Sequence, residues 1–329
     1  MSVGSLPAHH DPDGGFRNPW PSSQLHGFGS FLKWMVKRGR RPSGGRPPRL
    51  VETSTATDAV GENELLVTWI GHSTFLIRGA GMSVLTDPVW SERASPVQFA
   101  GPRRHVPPGL PFDALPPIDA VFISHDHYDH LDDDTIRRLI GRFPQATWIT
   151  PLGVGSFVRK RGATDVTELD WWQGAGFGSI SAICTPAQHF SGRYPWNRNA
   201  TLWSGWVIGL GARRVFFAGD TALHPEFADI ASRSGPFDVA ILPIGAYEPR
   251  WFMQAVHMNP EDAVAAYSGI SGVSGNAECI FIPSHWGTFR LTDEPLDEPP
   301  RRLLASWSEA ALPKECLCIL SPGETRRQG

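Results

Sequence analysis

The segment Asp119–Asp134, "DAVFISHDHYDHLDDD", limits what this chain can fold into more than any other. "DAVFI" reads as a buried strand, and the loop that follows holds three of the chain's 12 histidines. A loop on the end of a buried strand is held rigidly and suits ligand binding. His125, His127, Asp129 and His130 offer imidazole and carboxylate, the donors zinc accepts. Four such groups in six positions are more than one ion draws from so short a loop, and their spacing fans them toward two adjacent ions. The fold must therefore bring further donors to the same place.

The chain supplies them singly, each a few residues after an apolar strand. "SISAICTPAQH" ends in His189, "RVFFAGD" in Asp220 and "CIFIPSH" in His285. A carboxylate can bridge two cations, which suits the isolated Asp220. Three further residues have two readings each. Asp87, in "LTDP", orients a ligating histidine or forms a turn before proline. His72, in "WIGHST", lines the site or makes a structural hydrogen bond. His257, in "QAVHMNP", contacts substrate or lies on the surface. No G-x-S-x-G and no phosphate-loop pattern occurs, which leaves a serine nucleophile or nucleotide cradle without support.

From Leu65 onward short apolar strands alternate with helical segments. The strand candidates are 65–70, 74–78, 83–86, 119–123, 179–184, 206–210, 214–218, 238–243 and 279–283. Asp133–Phe143 carries an apolar stripe with Asp132 as N-cap, and a second helix starts at Asn259 and Pro260. The alternation predicts an α/β fold with helices covering sheets, in one catalytic domain over 61–329. Residues 1–60 form an N-terminal extension. Within it, Phe28–Leu50 has seven basic and no acidic residues. Phe28, Phe31, Trp34 and Met35 beside Lys33, Lys37, Arg38, Arg40 and Arg41 suit peripheral contact with an anionic membrane; docking on the core is the alternative.

A net charge of -3 gives no sign of nucleic-acid binding. The four cysteines lack a disulfide-framework spacing, and "CLCIL" reads as a strand that points Cys316 and Cys318 to one face. No secretory signal is visible at the start, so a cytoplasmic location is expected, peripheral on the membrane surface rather than spanning it. A homodimer is compatible with all of this.

The motif H-x-H-x-D-H, the three single donors, and the blocks "NPWP", "LTDPVWSERASP", "GPRR", "ELDWW", "FFAGDT", "GPFDVAILPIGAYEPRWFM" and "HWGTF" stand in order between Asn18 and Glu324. Together they resemble the N-acyl-phosphatidylethanolamine-hydrolysing phospholipase D branch of the metallo-β-lactamase superfamily. The resemblance implies an αβ/βα sandwich, two mixed β-sheets with outer helices. It implies two zinc ions: His125, His127 and His189 on one, Asp129, His130 and His285 on the other, and Asp220 bridging. Asp87 would support the ligands from behind, Asp129 would orient the attacking water or relay its proton, and His257 would lie near the substrate phosphate. The substrate would be a phospholipid, cleaved to an N-acylethanolamine and phosphatidic acid. Another ester, such as a sugar-phosphate lactone or a nucleic-acid phosphodiester, remains an alternative, as does a catalytically silent metal- or lipid-binding module. The chain departs from the mammalian pattern at Val256, where those enzymes have Gln, and at Ala222, where they have Gly.

Overall fold

The computed structural model describes residues 6–20, 45–51, 58–61, 63–194, 196–274 and 279–329. The basic stretch assigned to membrane contact, 28–41, lies outside the described residues. The strands are β1 (Leu65–Gly71), β2 (Thr74–Gly79), β3 (Met82–Thr86), β4 (Ala120–Phe122), β5 (Thr147–Pro151), β6 (Val166–Leu169), β7 (Gly174–Phe177), β8 (Ile180–Thr185), β9 (Gly205–Leu210), β10 (Arg213–Phe217), β11 (Val239–Pro243), β12 (Ile280–Ser284) and β13 (Thr325–Gln328). They build a seven-stranded sheet in the order β13-β1-β2-β3-β4-β5-β6 and a six-stranded sheet in the order β12-β11-β10-β9-β8-β7. Both are mixed: β3 to β6 run parallel in the first and β10 to β12 in the second, with antiparallel hairpins beside them.

The inner strands read as continuous apolar runs because both of their faces are covered. In the first sheet Val67, Trp69, Phe75, Ile77, Val84 and Phe122 pack into the layer shared with the second sheet. The alternate residues Ile70, Leu76, Leu85, Val121 and Ile123 pack outward under Ile136 and Leu139 of the helix Asp133–Arg142. A one-residue slip of register would exchange the two sets. This is the predicted sandwich; the helices Asp133–Arg142 and Pro260–Ser274 fall where the sequence places them, and Glu298–Glu309 forms a further one.

Local details differ. Asp132 holds the N-cap position, but its carboxylate accepts from Ser91 and Thr135 side chains, not from a helix backbone N–H. Asn259 does cap: its Oδ1 accepts the Asp262 N–H at 2.8 Å. Cys316 and Cys318 are not on a strand. Lys314–Cys316 is a 3-10 turn, and only Leu317 bridges to Phe281. Strands β5, β6, β7 and β13 were not expected. β13 is a polar edge strand, Thr-Arg-Arg-Gln, and β7 is rich in glycine, so neither shows apolar alternation. Among the described residues no helix is long and apolar enough to cross a membrane.

Residues 6–20 lie against the core beside the strand ends that carry the candidate site. His9 and His10 each place Nε2 on one oxygen of Asp170, at 2.6 and 2.7 Å, and His9 stacks on Trp171. Trp20 stacks on His224, whose buried ring is pushed down to about 3 by burial alone.

Candidate metal centre

β4 ends at Phe122, and the chain then enters the donor loop under firm restraint. The Ile123 N–H donates to Ile149, the Ile123 carbonyl accepts the indole N–H of Trp206, and the Ser124 carbonyl accepts the Ser204 N–H. Arg193 closes the far side: its Nη1 donates to the carbonyls of Asp126 and Leu131, at 2.8 and 2.7 Å, bracketing His127, Asp129 and His130. The ends of β8, β10 and β12 bring His189, Asp220 and His285 from the facing sheet. Gly219 makes the approach of Asp220 fit: it sits at φ +61°, and a Cβ there would come within 2.7 Å of Ser124 and of the Ser204 carbonyl oxygen.

All seven sequence candidates meet here. His125 Nε2 lies 2.8 Å from His127 Nδ1, which lies 3.2 Å from His189 Nε2. Asp220 Oδ2 lies 3.1 Å from His130 Nε2, 3.0 Å from His285 Nε2 and 3.9 Å from His189 Nε2, so it stands between the two histidine sets. Asp129 Oδ2 is 3.5 Å from His130 Nε2 and 3.4 Å from His285 Nε2.

The hydrogen bonds behind the rings leave the inward nitrogens free. His189 Nδ1 faces the Val256 carbonyl at 2.9 Å, and a carbonyl can only accept, so the proton sits on Nδ1 and Nε2 is bare. His130 Nδ1 is 2.7 Å from Asp87 Oδ2. Asp87 also accepts the Ser124 N–H and hydroxyl at 2.7 and 2.6 Å. The carboxylate is buried and faces His130. A carboxylate behind a histidine fixes the ring and raises its basicity toward a metal. His72 takes the corresponding place behind Asp129, with Nε2 at 3.0 Å from Oδ2. His72, Asp87 and His285 all hold positive φ, an uncommon conformation that clusters at functional sites.

His130 Nε2, His285 Nε2 and Asp220 Oδ1 are buried with no hydrogen-bond partner among the described residues. Buried polar atoms are rarely left so. They lie close to opposing donors without bonding geometry, as ligands aimed at a shared cation would, and the donor set fits a metal. Four overlapping groups of His and Asp here have ligand atoms within 4.8 Å of one another. A further such group, His9, His10 and Asp170, is satisfied by its own hydrogen bonds.

The electrostatics agree. Burial opposes charge on His130 and His285, but Asp220 and Asp129 outweigh it, holding His130 well above its ordinary range and raising His285 to about 9. Burial would raise Asp129 and Asp220, yet the facing histidines hold both well below the usual carboxylate range. At the other set, burial keeps the rings neutral: His125 falls well below its ordinary value, His127 to about 3 and His189 to about 4. One end thus offers neutral nitrogens and the other a pair of anions.

His257 is buried, not on the surface. Its ring lies 4.9 Å from that of His189 and 5.2 Å from that of His285, and Nδ1 has no partner among the described residues. Arg193, Ser124 and Trp206 were not singled out in the sequence. Neither was Asn18, whose Nδ2 donates to the His189 carbonyl at 2.8 Å. Its place in "NPWP" and Arg193's position four residues after His189 were the available signals.

A two-sheet sandwich with histidines and carboxylates gathered at its strand ends defines a metal-dependent hydrolase, and the model of the Beta-lactamase superfamily domain matches residues 83–286. The chain belongs to the metallo-β-lactamase superfamily. It is 43% identical over 298 residues to an uncharacterised protein of Mycobacterium tuberculosis, covering 89% of this chain and 78% of that one. It is 41% identical over 264 residues to N-acyl-phosphatidylethanolamine-hydrolyzing phospholipase D 1 of Caenorhabditis elegans, covering 77% of this chain and 72% of that one. Igni18, a metallo hydrolase from the archaeon Ignicoccus hospitalis, superposes with a TM-score of 0.61 over 81% of this chain and 99% of its own at 22% identity, a likeness of fold. The branch suggested by the sequence blocks is borne out by the Caenorhabditis elegans relative.

Proposed function

We propose that this protein is a zinc-dependent phosphodiester hydrolase of phospholipase D type, acting on N-acyl-phosphatidylethanolamine at a membrane surface. The observation that carries the proposal is the placement of Asp220 between a three-histidine set and the set Asp129, His130 and His285. One carboxylate serving two donor sets is what a dinuclear centre requires. The 41% identity to a relative named for this activity supplies the substrate class. His125, His127 and His189 would hold one ion, Asp129, His130 and His285 the other, and Asp220 would bridge. Imidazole and carboxylate suit zinc and also iron, so the metal is part of the proposal.

When bound, such a pair supplies Lewis acidity and lowers the pKa of water toward neutrality. The chain does the rest. His72, kept neutral at about 3 chiefly by burial, donates Nε2–H to Asp129 Oδ2 and fixes that carboxylate. Oδ1 is then the oxygen that takes the proton of the attacking water. His257, which burial holds well below its ordinary value, offers its ring to a phosphoryl oxygen. Water oxygen bonds to phosphorus, the bond from phosphorus to the ethanolamine oxygen breaks, and that oxygen leaves as N-acylethanolamine with the proton that Asp129 took. Phosphatidic acid remains.

Hydrolysis in oxygen-18 water tests this. The label is expected in phosphatidic acid. Label in the N-acylethanolamine means cleavage at carbon, and absence of either product removes the assigned substrate.

A further inference from the structure

The chain leaves His189 through Phe190 and makes a turn that presents two stacked aromatic rings to solvent. Trp196 is 81% exposed and Tyr194 49%; their planes are 4° from parallel with centroids 5.1 Å apart. Arg193, Tyr194 and Asn197 are tied together by hydrogen bonds. Asn197 Oδ1 accepts the N–H groups of Arg193 and Tyr194 at 3.1 and 2.7 Å, and the Asn197 N–H donates to the Tyr194 carbonyl. The Tyr128 hydroxyl, between two candidate ligands, donates to the Arg193 carbonyl at 2.9 Å. The exposed pair is therefore braced on the donor loop itself. Phe190 continues the apolar surface inward, edge-on to His127 at 4.6 Å and packed in one cluster with Phe252. Trp251, 42% exposed, adjoins Phe252. Arg198 is exposed, lies over Phe190 and has no ion pair among the described residues.

Trp and Tyr combine an apolar ring with a polar edge and favour the headgroup layer of a bilayer, and an exposed guanidinium favours anionic lipid. From Phe190 to Thr201 there are two arginines and no acid. The turn follows Phe190, which lies against His127, so a protein seated here would cover the approach to that donor, whereas a lipid surface would deliver substrate to it. We propose that Tyr194, Trp196 and Trp251 seat this end of the sandwich on a phospholipid interface, with Arg198 against lipid phosphate. This rests on the lipid reading of the substrate given above.

The test uses the full chain and the double variant Tyr194→Ala/Trp196→Ala. Binding is read by sedimentation with phosphatidylcholine vesicles with and without phosphatidylglycerol. Turnover is read on N-acyl-phosphatidylethanolamine in those vesicles and on a short-chain form dissolved as monomers. The variant is expected to bind vesicles about tenfold more weakly and to lose vesicle turnover in proportion, with metal content and monomer turnover unchanged. Equal loss on both substrates with binding intact would place the rings on the substrate instead and overturn the proposal. Unchanged binding, or a parent protein that binds no vesicle, would also overturn it. If the parent binds vesicles but hydrolyses neither substrate, the functional reading fails while the sedimentation arm still decides the surface.

Discussion

Asp220→Ala is expected to empty both halves of the metal centre and reduce turnover at least about a hundredfold, since each half loses a ligand at once. A variant of any single histidine takes a donor from one half only. The same change should lower the stability of the metal-stripped protein by as much as about 3–5 kcal/mol, because it takes from buried His130 and His285 the carboxylate nearest their Nε2 atoms and leaves only the more distant Asp129 on that side. The rings can escape that penalty by shedding protons, which gives the loss a pH dependence. Asp220 is depressed, so its contribution is present above the ordinary carboxylate range and fades as pH falls through its folded value. His285 is raised to about 9, so its contribution is present below its ordinary value and is lost as pH rises through about 9. The deficit of the variant should therefore be greatest in mildly acidic to neutral solution and shrink toward alkaline pH. Thermal unfolding of stripped protein across that range checks it. A deficit that grows with pH would mean Asp220 is not paired to these rings.

Asp129→Asn should act differently. The amide keeps the size and can still accept from His72, but it loses charge and basicity. Turnover is expected to fall about 10²–10⁴-fold, the usual worth of a positioned proton acceptor, with a much smaller change in KM. Metal content should stay well above that of Asp220→Ala, because the three-histidine set is untouched. Near-normal turnover with metal retained would take the proton-handling role from this carboxylate.

The contrast between these two residues shows what could be seen in the sequence. The donor residues were visible because each stands a few residues beyond an apolar strand, and the loop His125–His130 already called for further donors. The inner sheet strands were visible because both faces are buried. What holds the donors in place was not. Arg193 and Trp206 bond to backbone carbonyls, and a carbonyl leaves no mark on the sequence. β5, Thr-Trp-Ile-Thr-Pro, ends in a proline that argues against a strand inside a sheet, yet Pro151 is its last residue, where the ladder no longer needs its N–H. His72 and His257 had two readings each, because a lone histidine gives no sign of its partner; only the distances to Asp129 and to the His189 ring separate them.

Asp220 divided between two donor sets calls for two ions, and a stoichiometric titration addresses this directly. Protein stripped by chelation is titrated with zinc while turnover of N-acyl-phosphatidylethanolamine is followed. Turnover should stay low until the second ion enters and level off at about two zinc ions per chain. Full turnover at one ion, or none at any loading, would contradict it.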